Sequence, residues 1–461
     1  MANSAGQGAT SVSQATKRKS GAHALPTGFA ARDLCARILR QILAKYQPLD
    51  ETLGLLDGAE TPLAPNDRAF VRAIVSTALR RKGQIDDALA RFITSPLPDK
   101  RGLLDEILLT GGAQLLFMET PAHAVINIAV EQTRRDKGAR RFASLANAVL
   151  RRVAGAGADI VAAQDAARLN TPDWLWSRWA AHYGDAAARA IAEQHLIEPP
   201  LDLTVKADPE RWAERLGGIA LPTGSVRLAA RGRVEALDGY GEGAWWVQDA
   251  AAALPARVLG DIAGQRVADL CAAPGGKTAQ LARAGAQVMA VDQSTKRLER
   301  LRENMARLGL TAETVAADVT TWRPDAPFDA VLLDAPCTAT GTIRRHPDIP
   351  HLKRPADLEK LADLQTRLLD NAVTMLRRGG VLVYCTCSLE PEEGIRQIDR
   401  LLAQRDDLSL EPIDPAPLGA RPEWTRSPGI LRTLPHQLPA EDPAMSGIDG
   451  FFVARLRKSG A

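Results

Sequence analysis

A chain of 461 residues, 25% charged and 45% hydrophobic, is long enough for two or three globular domains and ordinary enough in make-up to exclude a disordered or fibrous protein. Its net charge of +3 points to no partner by itself. Five cysteines over this length exclude a disulfide framework, and no apolar run reaches the length of a membrane span or forms a signal-peptide core. The expectation is a cytoplasmic protein with free thiols, no metal and no membrane partner, working as a monomer.

Residues 1–28 are rich in Ser, Ala, Gly and Thr and carry a small Lys17-Arg18-Lys19 cluster, the composition of a disordered tail. Residues 29–155 read as an all-helical domain. Leu34, Ile38, Leu39, Ile42 and Leu43 recur at helical spacing, as do Phe70, Ile74 and Leu79, then Leu104, Ile107, Leu108 and Leu115. Residues 131–152 hold seven Lys or Arg against two acids. Of these, Arg134, Arg135, Arg140 and Arg141 are the candidates for an RNA backbone, the alternative being a solvated helix face. Residues 156–240 change texture: a helix around Trp174, Leu175 and Trp179 leads into a small α+β module.

From 241 to 458 strand and helix alternate, which predicts a doubly wound, mostly parallel sheet. Strands fit 266–271, 287–292, 314–318, 328–334 and 380–387, with a last one at 451–456. Helices fit 277–284, 295–308, 356–378 and 392–404. Three segments here carry chemistry: Val267-Ala-Asp-Leu-Cys-Ala-Ala-Pro-Gly-Gly-Lys277, Leu332-Leu-Asp-Ala-Pro-Cys337 and Val383-Tyr-Cys-Thr-Cys-Ser388. In an open α/β sheet, strands that end in Gly, Pro, Asp or Cys end at a ligand crevice.

Gly275 and Gly276 follow a strand and open a helix, so backbone N–H groups can approach a ligand there. Asp292 ends the next strand, where a carboxylate takes ribose hydroxyls, and Asp318 ends the third. The set favours an adenosine-containing ligand such as S-adenosylmethionine. Gly276-Lys277-Thr278 resembles the end of a nucleotide triphosphatase phosphate loop, but Cys271 stands where that loop needs glycine. Cys385 and Cys387 face the same side of their strand, and Cys387 lies nearer the crevice, which makes it the candidate nucleophile. A lone buried cysteine is more often a small hydrophobe, so Cys385 is read as packing.

These three segments, with Leu333-Asp-Ala-Pro-Cys-Thr-Ala-Thr-Gly-Thr-Ile-Arg-Arg-His-Pro-Asp348, closely resemble the RNA cytosine-5 methyltransferases. Asp67-Arg-Ala-Phe-Val-Arg72, Pro121-Ala-His-Ala-Val125 and Leu145-Ala-Asn-Ala-Val-Leu-Arg151 resemble the antitermination factor NusB. The combination is similar to the bacterial 16S rRNA cytosine-5 methyltransferases of the Sun/Fmu type, whose target is cytosine 967. The resemblance implies a Rossmann-like class I methyltransferase domain behind a NusB-like RNA-binding domain and a small α+β linker. It implies Cys387 as nucleophile and Cys337 as the residue of product release; Asp334, at a strand mouth close to both ligands, is the candidate contact to the cytosine N3/N4 edge. It also implies cofactor contacts at Cys271, Ala272, Ala273, Pro274, Gly275, Gly276, Lys277, Asp292, Asp318 and Asp334. Arg344, Arg345 and His346 are expected on a loop that holds phosphates. Thr204-Val205-Lys206 departs from the family's Arg-x-Asn. A tRNA methyltransferase and a non-catalytic RNA-binding or assembly factor are the rival readings.

Overall fold

The computed structural model describes residues 25–56, 63–229 and 232–460. Most of the segment expected to be a disordered tail lies outside the described residues. Helices Phe29–Lys45, Pro65–Arg80, Lys82–Ala90, Leu104–Phe117, Ala122–Arg135 and Ala143–Ala162 form the N-terminal domain. They share one core through Leu39, Ile74, Ile107, Leu108 and Leu150. Leu104–Phe117 is apolar on nearly every face and runs through the middle, where each buried Leu or Ile contributes roughly 1.5–3 kcal/mol.

Helices Asp173–Tyr183 and Asp185–His195 connect the domains. The α+β module follows, with β1 (Leu201–Val205), β2 (Ile219–Ala220), β3 (Ser225–Leu228) and β4 (Trp245–Val247) in the antiparallel order β2-β3-β1-β4. The catalytic sheet contains β5 (Arg266–Leu270), β6 (Gln287–Asp292), β7 (Glu313–Ala316), β8 (Phe328–Asp334), β9 (Leu376–Thr386), β10 (Leu408–Leu410), β11 (Thr425–Ser427), β12 (Ile430–Thr433) and β13 (Phe451–Lys458). Its order is β11-β12-β13-β9-β8-β5-β6-β7, and β10 pairs with β13. From β7 to β9 all neighbours are parallel; β13 returns antiparallel to β9. The chain starts at β5, walks outward to β7, then crosses back to β8. That reversal opens a crevice at the carboxyl ends of β5 and β8.

Both faces of this sheet are covered, as a parallel sheet requires. Val267, Leu332, Val383 and Cys385 join one core, while Ala268, Val331, Leu333, Leu382 and Tyr384 join the other. The period-2 alternation therefore puts Cys385 and Cys387 on the same face, with Cys387 at its rim. The helix expected to run to 378 stops at Thr374, and Leu376 is already strand. Its pairing with Phe328 shifts register before Ala330 meets Val381, an offset accommodated at Gly379, whose φ is +72°. The short strands β10, β11 and β12 have no counterpart among the expected elements.

The helical domain docks on the catalytic one through polar contacts. Arg80 donates to the carbonyls of His195 (3.1 Å) and Arg344 (2.8 Å), and Leu49 N–H donates to Asp348 (2.8 Å). His195 is buried edge-on to Trp179, its Nε2 without a hydrogen-bond partner among the described residues. Burial, with Arg344 and Arg80 nearby, lowers its pKa from 6.5 to about 3. Below pH 6.5 the unfolded chain binds a proton here that the folded chain refuses. Stability is therefore lost as pH falls toward 3, by about 1.4 kcal/mol per unit from this residue. His195→Leu is expected to flatten that limb. Denaturant midpoints at pH 7 and pH 5 check it: the wild type loses about 2 kcal/mol more than the variant, and equal losses would contradict the assignment.

Candidate active site

After β5 the chain turns sharply. Cys271 has φ +61° and Gly275 φ +102°, and the helix Gly276–Arg283 begins at once. A Cβ at Gly275 would sit 2.8 Å from the Leu301 side chain as well as in a left-handed conformation, so only glycine fits. Ala273 N–H donates to Asp292 Oδ2 (3.2 Å) and Ser294 N–H to Asp292 Oδ1 (3.0 Å), which ties the loop to the end of β6. The first turn of the helix leaves its N–H groups facing the crevice. Asp292 is buried and Asp318 exposed, the latter capping its own turn through Thr320 (2.9 Å), which lowers its pKa. Beneath the loop Asp269 accepts from Thr278 Oγ1 (2.5 Å), its Oδ1 is unpaired among the described residues, and burial pushes its pKa up to about 7. Backbone donors, acidic acceptors at strand ends and a glycine cradle suit a ligand that combines hydroxyls with a charged amino acid, so these residues fit S-adenosylmethionine.

Beside this cradle the ends of β8 and β9 bring the expected catalytic residues together. Cys337 Sγ lies 3.4 Å from Cys387 Sγ. Asp334 accepts from Lys277 Nζ at 2.7 Å, and Cys385 Sγ lies 3.4 Å from its other oxygen. Burial works against the Lys277 ammonium, but Asp334 together with Cys385 and Cys387 raises the pKa. The bond to Cys387 raises the Cys337 pKa, and burial adds to it. Cys385 is fully buried and its pKa is raised by burial first, then by Asp334, so it stays a thiol. Two loops laced to each other hold the sulfurs: Ala335 N–H donates to Cys385 O (3.0 Å), Gly341 N–H to Cys387 O (2.9 Å) and Leu389 N–H to Thr340 Oγ1 (2.9 Å). At Gly341 a Cβ would fall 2.0 Å from the Gly450 carbonyl, so the lacing needs glycine.

The expectation of a phosphate-holding loop is corrected at Arg344. Arg344 is buried, bonded to Asp249 (3.1 Å) and near Asp449 (3.5 Å), so it faces inward, away from solvent and phosphates. Arg345 pairs with Asp449 (2.5 Å), and His346 faces Asp50 of the helical domain at 3.7 Å. A buried cluster of Asp249 and Asp449 requires these cations; Asp249 is still raised to about 6 by burial and the neighbouring carboxylates. On the helical domain Arg134, Arg135, Arg140 and Arg141 are all exposed around one loop, with Arg135 paired to Glu131 (2.6 Å) and Arg141 bonded to Lys100 O (3.2 Å). Lys206, one of the departures in the linker, points to the Leu308 carbonyl instead of outward.

Sequence reasoning missed the residues that brace the nucleophile segment. Arg178 and Trp179 reach Glu390 at 2.7 and 3.0 Å, and Tyr183 reaches Leu389 O at 2.5 Å. Glu393 accepts from Thr338 N–H (2.9 Å) and from Gln365 (3.0 Å). The tryptophan-rich helix was a visible signal; Glu393 fell within the helix expected over 392–404, with nothing to mark it.

A family model described as 16S rRNA methyltransferase RsmB/F matches residues 256–457, and the NusB family model matches residues 30–155. The chain is 37% identical over 450 residues to ribosomal RNA small subunit methyltransferase B of Xanthomonas campestris, covering 94% of this chain and 98% of that one. The protein of the same name from Vibrio cholerae is 35% identical over 436 residues, 90% of this chain and 96% of the other. The crystal structure of PH0851 shares the fold, with a TM-score of 0.71 at 22% identity over 94% of this chain and 99% of that one. With its Rossmann-like sheet, its cradle and its paired cysteines behind a NusB-family domain, the chain belongs to the 16S rRNA methyltransferase RsmB/F family and is an RNA methyltransferase.

Proposed function

We propose that the enzyme methylates C5 of a cytosine in 16S rRNA, position 967 in the type it resembles, using S-adenosylmethionine and a covalent link through Cys387. The observation that carries this reading is the pair of sulfurs 3.4 Å apart beside the Lys277–Asp334 pair, at the mouth of the cofactor cradle. Cytosine C5 is a poor nucleophile until a thiolate adds at C6. Cys387 forms the S–C6 bond and sends the ring's electron pair to C5. S-adenosylmethionine, when bound, supplies the methyl group that C5 takes. A base then removes the C5 proton, the C5–C6 double bond re-forms, and Cys387 leaves as thiolate with Cys337 assisting. Asp334 accepts from the exocyclic N4–H of the base, and Lys277 keeps that carboxylate oriented. The base must be unpaired or flipped out to reach them, with Arg134, Arg135, Arg140 and Arg141 contacting the RNA backbone.

Transfer of labelled methyl from S-adenosylmethionine to unmodified 16S rRNA and to tRNA tests the substrate. Label on a cytosine of the rRNA alone is the expected result. Label on tRNA alone would keep the chemistry and discard the substrate.

A further inference from the structure

Two thiols 3.4 Å apart do not both ionise at neutral pH, because the first charge opposes the second. Which sulfur holds the charge must be decided by what surrounds each one. Exposure does not decide it, since Cys337 and Cys387 are both half-buried. Charge does. Two cations, Lys277 (paired with Asp334) and Arg345 (paired with Asp449 at 2.5 Å), lie within the electrostatic reach of Cys387. The anion that acts on Cys337 is Glu393. Asp334, the other carboxylate at the site, is paired with Lys277 at 2.7 Å.

Glu393 has an unusual setting. It lies in the short turn Pro391–Glu393 after the nucleophile segment, and it is fully buried. Both of its oxygens accept from Thr338 N–H, at 2.9 and 3.1 Å, one residue beyond Cys337. Thr338 Oγ1 donates as well, and Gln365 Nε2 donates at 3.0 Å. Burial raises the Glu393 pKa, and the donors from Thr338 and Gln365 oppose that by favouring the ionised carboxylate, which only accepts. The same Gln365 nitrogen holds the Pro336 carbonyl at 2.9 Å, so the residues on either side of Cys337 are both fixed to this acid. A buried charge so close is poorly screened by solvent.

We propose that Glu393 is a positioning residue whose negative charge keeps Cys337 a thiol and leaves the anionic sulfur of the pair to Cys387. The inference deepens the proposed covalent mechanism and rests on its assignment of Cys387. It accounts for the choice between two cysteines that stand side by side: a buried acid under one and two cations near the other. In the resting site Cys337 donates its S–H to the Cys387 sulfur, which is the arrangement a nucleophile needs before the base arrives.

The test is thiol alkylation of the full-length protein at pH 7 with iodoacetamide, with peptide mass spectrometry reporting the rate at each cysteine. In the wild type Cys387 is expected to react about tenfold faster than Cys337 or more, as a thiolate does beside a thiol. Glu393→Gln removes the charge, and the ratio is expected to fall by about fivefold or more. Glu393→Asp keeps the charge, and the ratio is expected to stay within about twofold of the wild type. S-adenosylmethionine affinity and the melting temperature report whether each variant is folded. Equal rates at the two sulfurs in the wild type would overturn the proposal, and that measurement needs no variant to fold. So would an unchanged ratio in a folded Glu393→Gln, or an equal collapse in Glu393→Asp, which would assign the effect to loop geometry. Alkylation needs no RNA, so a failure to methylate rRNA would discard the proposed function while the ranking of the sulfurs is still read.

Discussion

Cys387→Ala is expected to lower kcat for methyl transfer by about 10⁴-fold or more while S-adenosylmethionine binds with unchanged affinity. The split follows from the geometry. The cofactor cradle is built by the loop after β5 and by Asp292, whereas Cys387 sits at the end of β9 on the far side of β8. Removing its sulfur leaves C5 of the base without the added electron density that makes it reactive, so the chemical step fails and not the binding step. Alanine removes one sulfur from a half-buried rim position, so the fold is retained. Equilibrium binding and single-turnover rates on the same preparations separate the two. Retained turnover would remove Cys387 from the mechanism.

Cys337→Ala is expected to do the opposite: methyl transfer proceeds once, and the enzyme stays attached to its RNA. The 3.4 Å separation of the sulfurs puts Cys337 where it can act only on the Cys387 adduct and its immediate surroundings. A denaturing gel is the check, with a slow-migrating band that contains nearly the whole enzyme when RNA is in excess and that collapses on nuclease treatment. Its absence, with methylated product released normally, would take the release role away from Cys337.

Much of this site was legible in the sequence because its chemistry is local. The Gly275–Gly276 turn, Asp334 before Pro336-Cys337 and Thr386-Cys387-Ser388 each place a reactive group a fixed step beyond a strand, and strand order brings the steps together. What was not legible depends on distant partners. Arg344 looks like part of a solvated basic loop until Asp249 and Asp449, 95 and 105 residues away, enclose it, while Arg345 stays at the surface and pairs with Asp449. Glu393 looks like a surface acid until Thr338, 55 residues earlier, comes to rest on it. The strands β10, β11 and β12, three or four residues each, are too short to show a period. Leu376 kept helical spacing with Leu369 and was drawn instead into β9 by pairing with Phe328.

RNA carrying 5-fluorocytidine at the target position tests the central claim most directly. Fluorine at C5 cannot depart as a proton does, so an enzyme that adds a thiolate to C6 and transfers the methyl group is trapped on its substrate. Digestion and mass spectrometry of the trapped complex should yield one RNA-bearing peptide, linked through Cys387. A link through Cys337, or methyl transfer to ordinary RNA with no trapped species on the fluorinated one, would contradict the account.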